Sequence, residues 1–182
     1  MKKSIGLLEF KSIAKGIEAT DHMLKSANVE LVLSSPLCPG KYITILCGDV
    51  GAVKNAVKTG EHIGGNFIID SYVIANVHED IFPALTATTN IERISSLGII
   101  ETMSAITSIM AGDIALKAAN VQLLEIRVAR GLGGKGFILL TGEIGAVKSA
   151  VKTCEHKLEE TGDIISTVVI ASPSADLIPK LL

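Results

Sequence analysis

A cysteine in a turn is the residue of this sequence best suited to bind a metal. Cys38 lies in SSPLCPGK, between Pro36 and Pro39. Proline fixes one backbone angle and Gly40 allows conformations that other residues resist, so the turn should be stiff. A thiol held rigidly in a polar loop is a better ligand candidate than a thiol in a strand. The plain alternative, a loop cysteine without a chemical role, stays open on these residues alone.

The other two cysteines do not extend this site. Cys47 ends a predicted strand and Cys154 lies on a predicted helix, where cysteine is usually a small buried hydrophobic residue. Iron–sulfur clusters normally take several thiolates, and the chain has no CxxC or similar spacing. One chain therefore cannot bind a cluster by that route. An odd total of three cysteines also argues against a disulfide framework.

The stretch ARGLGGKGF at residues 129–137 has the composition of a phosphate-binding loop. It fails the P-loop pattern because Lys135 is followed by glycine and not by Ser or Thr, and because a strand is predicted to follow. We expect a tight turn that, in a symmetric oligomer, would let the backbone approach the symmetry axis. Gly131, Gly133 and Gly134 would then line or flank an aperture on that axis, with Arg130 adding positive charge. Binding of a small anion is the weaker alternative.

No catalytic arrangement can be defended. His62 and His156 occupy equivalent places in the two halves of the chain, as do Glu9 and Glu101. A single catalytic site would not need two copies, so structural or interface roles are expected. The sequence contains no Ser-His-Asp arrangement, HExxH motif or paired carboxylates that could be argued to act together, and we expect a protein that is not an enzyme.

Composition narrows the classes of function. Hydrophobic residues make up 48% of 182 residues, aromatic residues only 3%, and the net charge is −2. Few aromatics and no excess of positive charge argue against nucleic-acid binding. Uncharged stretches such as 31–40 and 102–112 fall well short of the roughly 18 residues that a membrane span needs. No signal peptide is recognised, so we expect a cytoplasmic protein whose apolar excess is buried within the fold and between copies.

The chain is an internal repeat. IGLLEF at residues 5–10 matches LGIIET at 97–102, and CGDVGAVKNAVKTGEH at 47–62 matches TGEIGAVKSAVKTCEH at 141–156. The offset between the copies changes near residues 35–41 and 63–67, which predicts loops there. The sequence therefore predicts two domains, 1–90 and 91–182.

Each copy is predicted to form elements in the order β-α-β-β-α-β-α. This order gives an α+β fold of two tandem ferredoxin-like domains, each with an antiparallel sheet and helices on one face. Ser12 and Ser104 are the predicted caps of the first helix in each copy. The apolar stripe on that helix contains Ile13, Ile17, Thr20, Leu24 and Ala27 in the first copy and Ala105, Ile109, Gly112, Leu116 and Ala119 in the second.

The strands lead to two further expectations. Val29, Leu31 and Leu33 alternate and should share one side of the second strand. The face of the first sheet away from the helices should carry Leu8, Phe10, Val32 and Ile74. Because those side chains are apolar, a neighbouring domain should cover them.

The motifs IGLLEFKSIAKGIEATDHMLKSANVEL and GDVGAVKNAVKTG, and a strand ending in VIANVH, resemble the bacterial microcompartment shell domain. The duplication resembles the tandem-domain members of that family. The turn SSPLCPGKY is similar to that of members from propanediol-utilization compartments, whose trimer holds an iron–sulfur cluster at its central pore. The match covers nearly the whole chain, although Asn76 and Ser172 stand where many members have arginine.

The resemblance implies a homotrimer that imitates a hexagon and packs edge to edge with other shell proteins around metabolic enzymes. Lys25 and Lys117 would lie at tile edges. The turn before the third strand would line the pore with Pro36, Leu37, Cys38, Pro39, Gly40 and Lys41.

Three copies of Cys38 on the axis suit one [4Fe–4S] cluster per trimer, with one iron ligated by another group. Lys41 would offset cluster charge or favour the thiolate. Electron or cluster transfer across the shell, with redox enzymes inside as partners, is the implied function. The alternatives are a cluster-free tile whose pore passes small metabolites, and a regulatory protein that binds a small molecule at residues 131–136.

Overall fold

The structure is a computed structural model that describes residues 4–91, 93–128 and 131–181. The first repeat contains β1 (Ser4–Phe10), α1 (Ile13–Ser26), β2 (Val29–Leu37), β3 (Lys41–Gly48), α2 (Val50–Gly64), β4 (Ile68–Ile74) and α3 (Ile81–Leu85). The second contains β5 (Leu97–Thr102), α4 (Ala105–Ala118), β6 (Val121–Val128), β7 (Gly136–Gly142), α5 (Ile144–Lys157), β8 (Ile164–Ile170) and α6 (Ile178–Leu181). Short 3-10 turns, Gly65–Phe67 and Glu159–Thr161, precede β4 and β8.

Each repeat forms its own four-stranded antiparallel sheet. The strand orders are β2-β3-β1-β4 and β6-β7-β5-β8, so the first strand of each repeat lies between the third and the fourth. This is the ferredoxin-like arrangement. The predicted α+β class, with two tandem domains of the same topology, is confirmed.

Both predicted helix caps are confirmed. The Ser12 hydroxyl accepts a hydrogen bond from the backbone N–H of Lys15 at the start of α1. Ser104 accepts from the N–H groups of Ile106 and Thr107 at the start of α4. These bonds satisfy backbone donors that a helix leaves unpaired in its first turn.

The core of the first sheet shows that one expectation about its faces was wrong. Leu8 and Phe10 are completely buried and pack with Met23 of α1 and Val53 of α2, so they point toward the helices and not away from them. Gly6 shares their side of β1, and a Cβ there would lie 2.7 Å from Val57 of α2. The helices therefore sit directly on the even-numbered residues of β1.

A β-bulge corrects the expectation for β2. Leu31 pairs with Leu46, whereas Leu33 pairs with Ile45, which is the adjacent residue of β3. Successive residues of a strand point to opposite faces, so Leu33 lies on the other side of the sheet from Leu31. Val32 falls inside this bulge. Ile74 pairs with Ile5, so it lies away from the helices, as predicted.

The predicted stripe is the buried face of α4 but not of α1. In α4, Ile109, Gly112 and Leu116 are all buried. In α1 the buried residues are Gly16, Ala19, Thr20 and Met23, whereas Ile13, Ile17 and Leu24 are exposed. The stripe prediction for the first helix is therefore wrong for a single chain.

The chain folds as two compact units. The first contains the chain up to Val77 and the turn that ends at Gly134, and the second contains His78–Val128 and the chain from Lys135 onward. Helix α3 ends the first repeat in sequence but packs within the second unit, against α4 and β6. The domains 1–90 and 91–182 describe the sequence repeat and stay a prediction for the domain boundary.

Candidate functional site

The Cys38 turn joins two neighbouring strands of the first sheet. Leu37 ends β2 and Lys41 begins β3, and the N–H of Gly40 donates to the Leu37 carbonyl at 3.0 Å. Gly40 has φ +83°, a conformation that other residues rarely adopt. The peptide bond between Cys38 and Pro39 is cis. A short turn closed in this way holds the Cys38 backbone in one conformation.

Exposure varies along the turn. Leu37 is buried and belongs to the interior of the first unit. Pro36, Pro39 and Gly40 are exposed, and Cys38 is half-buried. Cys38 is thus partly covered by the fold and partly accessible from outside the chain.

A buried carboxylate holds the base of the turn. Lys41 Nζ donates to Glu9 Oε1 at 2.8 Å, and the Glu9 side chain is fully buried on the sheet face away from the helices. The second oxygen, Glu9 Oε2, has no hydrogen-bond partner among the residues that the structure describes. Glu9 therefore accepts a hydrogen bond from a residue 32 positions later in the chain, which is a structural role. The charge of Lys41 is already balanced within the chain.

The same ion pair occurs in the second repeat. Lys135 Nζ lies 3.0 Å from Glu101 Oε1, and both side chains are more exposed than those of the first pair. The repeat of the glutamates is visible in the sequence, but their pairing with the lysines was not predicted. Recurrence of both residue types at equivalent positions was the signal that could have identified the pair.

The glycine turn of the second repeat lies beside Cys38. Gly131, Gly133 and Gly134 all have positive φ, so the backbone there requires glycine. A Cβ on Gly134 would lie 3.4 Å from the carbonyl oxygen of Cys38 and 3.5 Å from Pro39 Cδ. Strand β7 follows at Gly136, as predicted for a turn that is not a P-loop. Arg130 lies outside the described residues.

The two remaining cysteines are buried, as predicted. Cys47 Sγ donates weakly to Glu30 Oε2 at 3.6 Å. Cys154 Sγ lies 3.3 Å from the Ala111 carbonyl, and burial raises the pKa of this thiol to about 12. A thiol with so high a pKa is neutral at physiological pH and is a poor metal ligand.

Lys25 and Lys117 both lie in the last turn of the first helix of their repeat, and each pairs with an aspartate one turn earlier. Lys25 Nζ lies 2.5 Å from Asp21 on an exposed surface, and Lys117 Nζ lies 2.6 Å from Asp113. Asp113 is buried, and it also accepts a hydrogen bond of 2.9 Å from the His78 N–H. The role of Asp113 was not predicted, although DHMLK and DIALK align in the two repeats.

The rest of the described chain adds no competing centre. His62 and His156 lie in the last turns of α2 and α5. Within residues 4–91, 93–128 and 131–181, no three His, Cys, Asp or Glu side chains are grouped to hold a metal ion. A polar cavity of about 760 Å³ is lined by residues that include Arg93, Gln122 and Glu143, and not by the glycine turn. No described helix is long and apolar enough to cross a membrane.

Comparison with known proteins gives consistent matches. The sequence model of the BMC domain matches residues 4–77 and again residues 96–173. The chain is 42% identical over 173 residues to the bacterial microcompartment shell protein PduT of Citrobacter freundii, covering 95% of this chain and 94% of that protein. One repeat is 36% identical over 88 residues to the carboxysome shell protein CsoS1A of Hydrogenovibrio crunogenus, covering 46% of this chain and 90% of that protein.

A solved structure agrees with these matches. The crystal structure of a microcompartment protein from Desulfitobacterium hafniense DCB superposes with a TM-score of 0.93 at 44% sequence identity. The superposition covers 98% of this chain and 99% of that one. The similarity therefore extends over both repeats.

Proposed function

The chain belongs to the BMC-domain family of bacterial microcompartment shell proteins, and from this membership we propose a finer function for its two turns. Three copies form a homotrimer that imitates a hexagon, because each chain carries two BMC domains. The trimer is a structural tile and not an enzyme. It meets other shell proteins at its edges, where Lys25 and Lys117 lie.

The turns of the two repeats line a central pore in this trimer. The first contributes the turn of Pro36, Leu37, Cys38, Pro39, Gly40 and Lys41, in which the buried Leu37 anchors the turn in the first unit and the other residues face the pore. The second contributes the glycine turn that ends at Gly134. The approach of Gly134 to the Cys38 carbonyl supports the proposal, because turns that surround one axis must come close together. Open space beside Gly131 and Gly133 is consistent with an aperture.

Cys38 of the three copies holds one [4Fe–4S] cluster per trimer. The observation that carries this proposal is a half-buried thiol on a closed turn, beside a glycine turn that leaves room for it. Three thiolates leave one iron for another ligand. Such a cluster accepts and donates single electrons, which suits transfer between the two sides of the shell. Redox enzymes within the compartment are the partners that this role requires.

The donor chemistry of the described residues fits such a cluster. Thiolates are its usual ligands, and Cys38 is the cysteine that is not buried in a strand or a helix. Because one chain offers a single suitable thiol, binding depends on assembly. We therefore expect the cluster to be lost when the trimer dissociates into single chains.

Iron and acid-labile sulfide per trimer test the proposal. The wild type is purified without oxygen, its mass is determined by native mass spectrometry, and EPR spectra are recorded after reduction. We expect about four irons per three chains. Cys38→Ser should lose the iron and the EPR signal while remaining a trimer. Cys47→Ser is the matched control and should keep both.

A trimer without iron in the wild type, even after anaerobic reconstitution, would overturn the cluster and leave a tile whose pore passes small metabolites. A monomer would overturn the tile itself. Tight binding of a nucleotide or metabolite by the single chain, detected as a thermal shift, would favour a regulatory protein.

A further inference from the structure

Segment 78–85, which contains α3, covers the outer face of α4 and β6 in the second unit. Ile81 and Ala84 are completely buried there. A Cβ on Gly112 of α4 would lie 3.1 Å from Ile81 Cδ1, so α3 lies directly on this helix. The N–H of His78 donates to Asp113 Oδ1 at 2.9 Å and fixes the start of the segment.

The equivalent face of the first unit is bare. The residues of α1 and β2 at the matching positions are Ile17, Leu24 and Leu31, and they are 37% to 54% exposed. Their counterparts in the second unit are Ile109, Leu116 and Leu123, which are at most 9% exposed. The first unit therefore presents an apolar surface whose counterpart is covered. We call Ile17, Leu24 and Leu31 the α1–β2 face.

The aspartate that fixes the covering segment in the second unit also has a counterpart beside the α1–β2 face. Asp21 matches Asp113, but its side chain is 56% exposed and its ion pair is with Lys25. It has no counterpart of the bond that Asp113 accepts from His78 among the described residues. Both the apolar and the polar parts of the docking surface are therefore repeated.

The segment that would cover this face is also uncovered. Residues 174–181, SADLIPKL, match HEDIFPAL at 78–85. Helix α6 within it buries no residue. Leu177 is 39% exposed, whereas its counterpart Ile81 is completely buried. The single chain thus leaves both members of this repeated contact exposed.

We propose that segment 174–181 of one copy docks on the α1–β2 face of a second copy of this chain. The second copy is the occupant because the duplicated sequence supplies the same surface and the same covering segment, and the second unit shows how they fit. Leu177 takes the place of Ile81, and the N–H of Ser174 donates to Asp21 of the other copy. The inference rests on the proposed trimer and specifies which surfaces join its copies.

The contact uses different surfaces on the two copies, so each copy both gives a segment and receives one. Such a head-to-tail contact forms a closed ring when the rotation between copies closes. In a trimer it would occur three times and leave no α1–β2 face bare. It also explains why α1 carries an apolar stripe on a side that the single chain leaves in solvent.

Two residues differ between the proposed contact and the equivalent contact within the second unit. Lys180 stands at the position of buried Ala84, and Thr20 stands at the position of Gly112. Lys180 lays its methylene chain along the surface and extends its ammonium group to the solvent. Thr20 keeps its hydroxyl bonded to Thr44 within the first unit, so the seat for Leu177 is shallower than that for Ile81.

Cross-linking between two differently tagged chains tests the contact. One chain carries Asp21→Cys and the other Ser174→Cys, both in the Cys38→Ser background. They are mixed under conditions that allow exchange of copies and treated with a short bismaleimide. We expect a cross-linked pair containing both tags. The matched control replaces Asp21→Cys by Lys58→Cys, which is exposed on α2, and should give no such pair.

Removal of residues 174–182 provides a second measurement. Because no residue of 174–181 is fully buried and Leu181 packs only partly buried against the core of the second unit, the shortened protein should keep its circular dichroism spectrum and lose the trimer in native mass spectrometry. Leu177→Asp should have the same effect.

The outcomes separate this inference from the proposed function. The docking contact would be overturned if the wild type is a trimer but the two cysteine variants give no cross-linked pair, or if the shortened chain remains a trimer. Either result would leave the trimeric tile intact. A monomeric wild type would overturn both. Loss of iron in Cys38→Ser with the cross-link retained would support the contact and the cluster independently.

Discussion

Lys41 and Glu9 form an ion pair with one end buried in the first sheet and the other at the base of the Cys38 turn. The ammonium and carboxylate atoms are 2.8 Å apart, and Glu9 has no exposed side-chain surface. Glu9 lies in β1, which is flanked by β3 and β4. The pair therefore ties the start of β3, and with it the turn, to an interior strand of the sheet.

Glu9→Gln should destabilise the chain more than Glu101→Gln. The first change leaves the half-buried Lys41 ammonium without an anionic partner, which costs about 2 kcal/mol of unfolding free energy. The second affects a more exposed pair and should cost less than about 1 kcal/mol. Urea unfolding at equal chain concentration measures both. Equal losses would contradict the role assigned to the buried pair.

Thiol labelling of the cluster-free protein should distinguish Cys38 from Cys154. At pH 8, iodoacetamide should modify Cys38 within minutes and leave Cys154 unmodified until urea is added, because Cys154 is buried and its pKa is raised to about 12. Peptide mass spectrometry identifies the modified residue, and Cys38→Ser is the control. Fast labelling of Cys154 in the native protein would be inconsistent with its burial.

The raised pKa of Cys154 also has a consequence for stability. The folded chain keeps the proton at a pH where the unfolded chain, with a thiol pKa of about 8.5, has lost it. The stabilisation is therefore complete below that value and decreases as the pH rises toward 12. The difference in unfolding free energy between the wild type and Cys154→Ala should shrink over this range.

Gly134→Ala should reduce iron loading more than Gly131→Ala. Both residues have positive φ, so each change adds backbone strain of about 1 kcal/mol. A methyl group added at Gly134 would also lie in van der Waals contact with the Cys38 carbonyl oxygen, at 3.4 Å, whereas no described residue lies within 4 Å of a Cβ on Gly131. Iron per trimer, measured beside the melting temperature, separates displacement of Cys38 from loss of stability. Equal iron contents would exclude a specific effect of Gly134 on the Cys38 turn.

Asp113→Ala and Asp21→Ala should affect different equilibria. Asp113 bonds the His78 N–H within one chain, so its loss should cost about 1 to 2 kcal/mol of unfolding free energy. Within the described residues Asp21 makes an exposed ion pair with Lys25, so its loss should leave the unfolding of the single chain nearly unchanged. It should instead raise the concentration at which the trimer dissociates, measured by analytical ultracentrifugation. If Asp21→Ala destabilised the single chain and left trimer dissociation unchanged, Asp21 would not have the role between copies that Asp113 has within one chain.

Lys117→Ala should weaken the packing of tiles without dissociating the trimer. Its ammonium is partly exposed beside Asp113, and the proposed function places it at the tile edge. Electron microscopy should show fewer and smaller sheets than for the wild type, and native mass spectrometry should show the same trimer. Lys58→Ala serves as the control for loss of one exposed positive charge. Sheets of unchanged number and size would show that Lys117 does not contribute to the contact between tiles.

Several features follow from local sequence. Ser12 and Ser104 cap helices because their hydroxyls bond N–H groups two or three residues away. The prolines and the glycine of the first turn, and the glycines of the second, predict turns because these residues allow or fix the backbone angles that a turn needs. The repeat itself predicts two domains of one topology. Each of these inferences depends on residues that are close in sequence or identical between the copies.

Other features depended on which element packs against which. The alternation in β1 shows that Leu8 and Phe10 share a face, but only the packed helices show which face that is. The stripe on α1 was predicted from spacing, yet the residues buried within the chain are Gly16, Ala19, Thr20 and Met23, and of these Thr20 alone belongs to the stripe. A bulge moved Leu33 to the opposite face from Leu31.

The sequence by itself determined the repeat, the order of strands and helices, the caps and the position of Cys38 in a turn. The tertiary structure decided that Glu9 meets Lys41, that Gly134 lies against Cys38, and that α3 belongs with the second unit. The physical reason is the range of the forces involved. Caps and turns are stabilised by bonds between near neighbours, whereas burial depends on contacts between segments that no local pattern specifies.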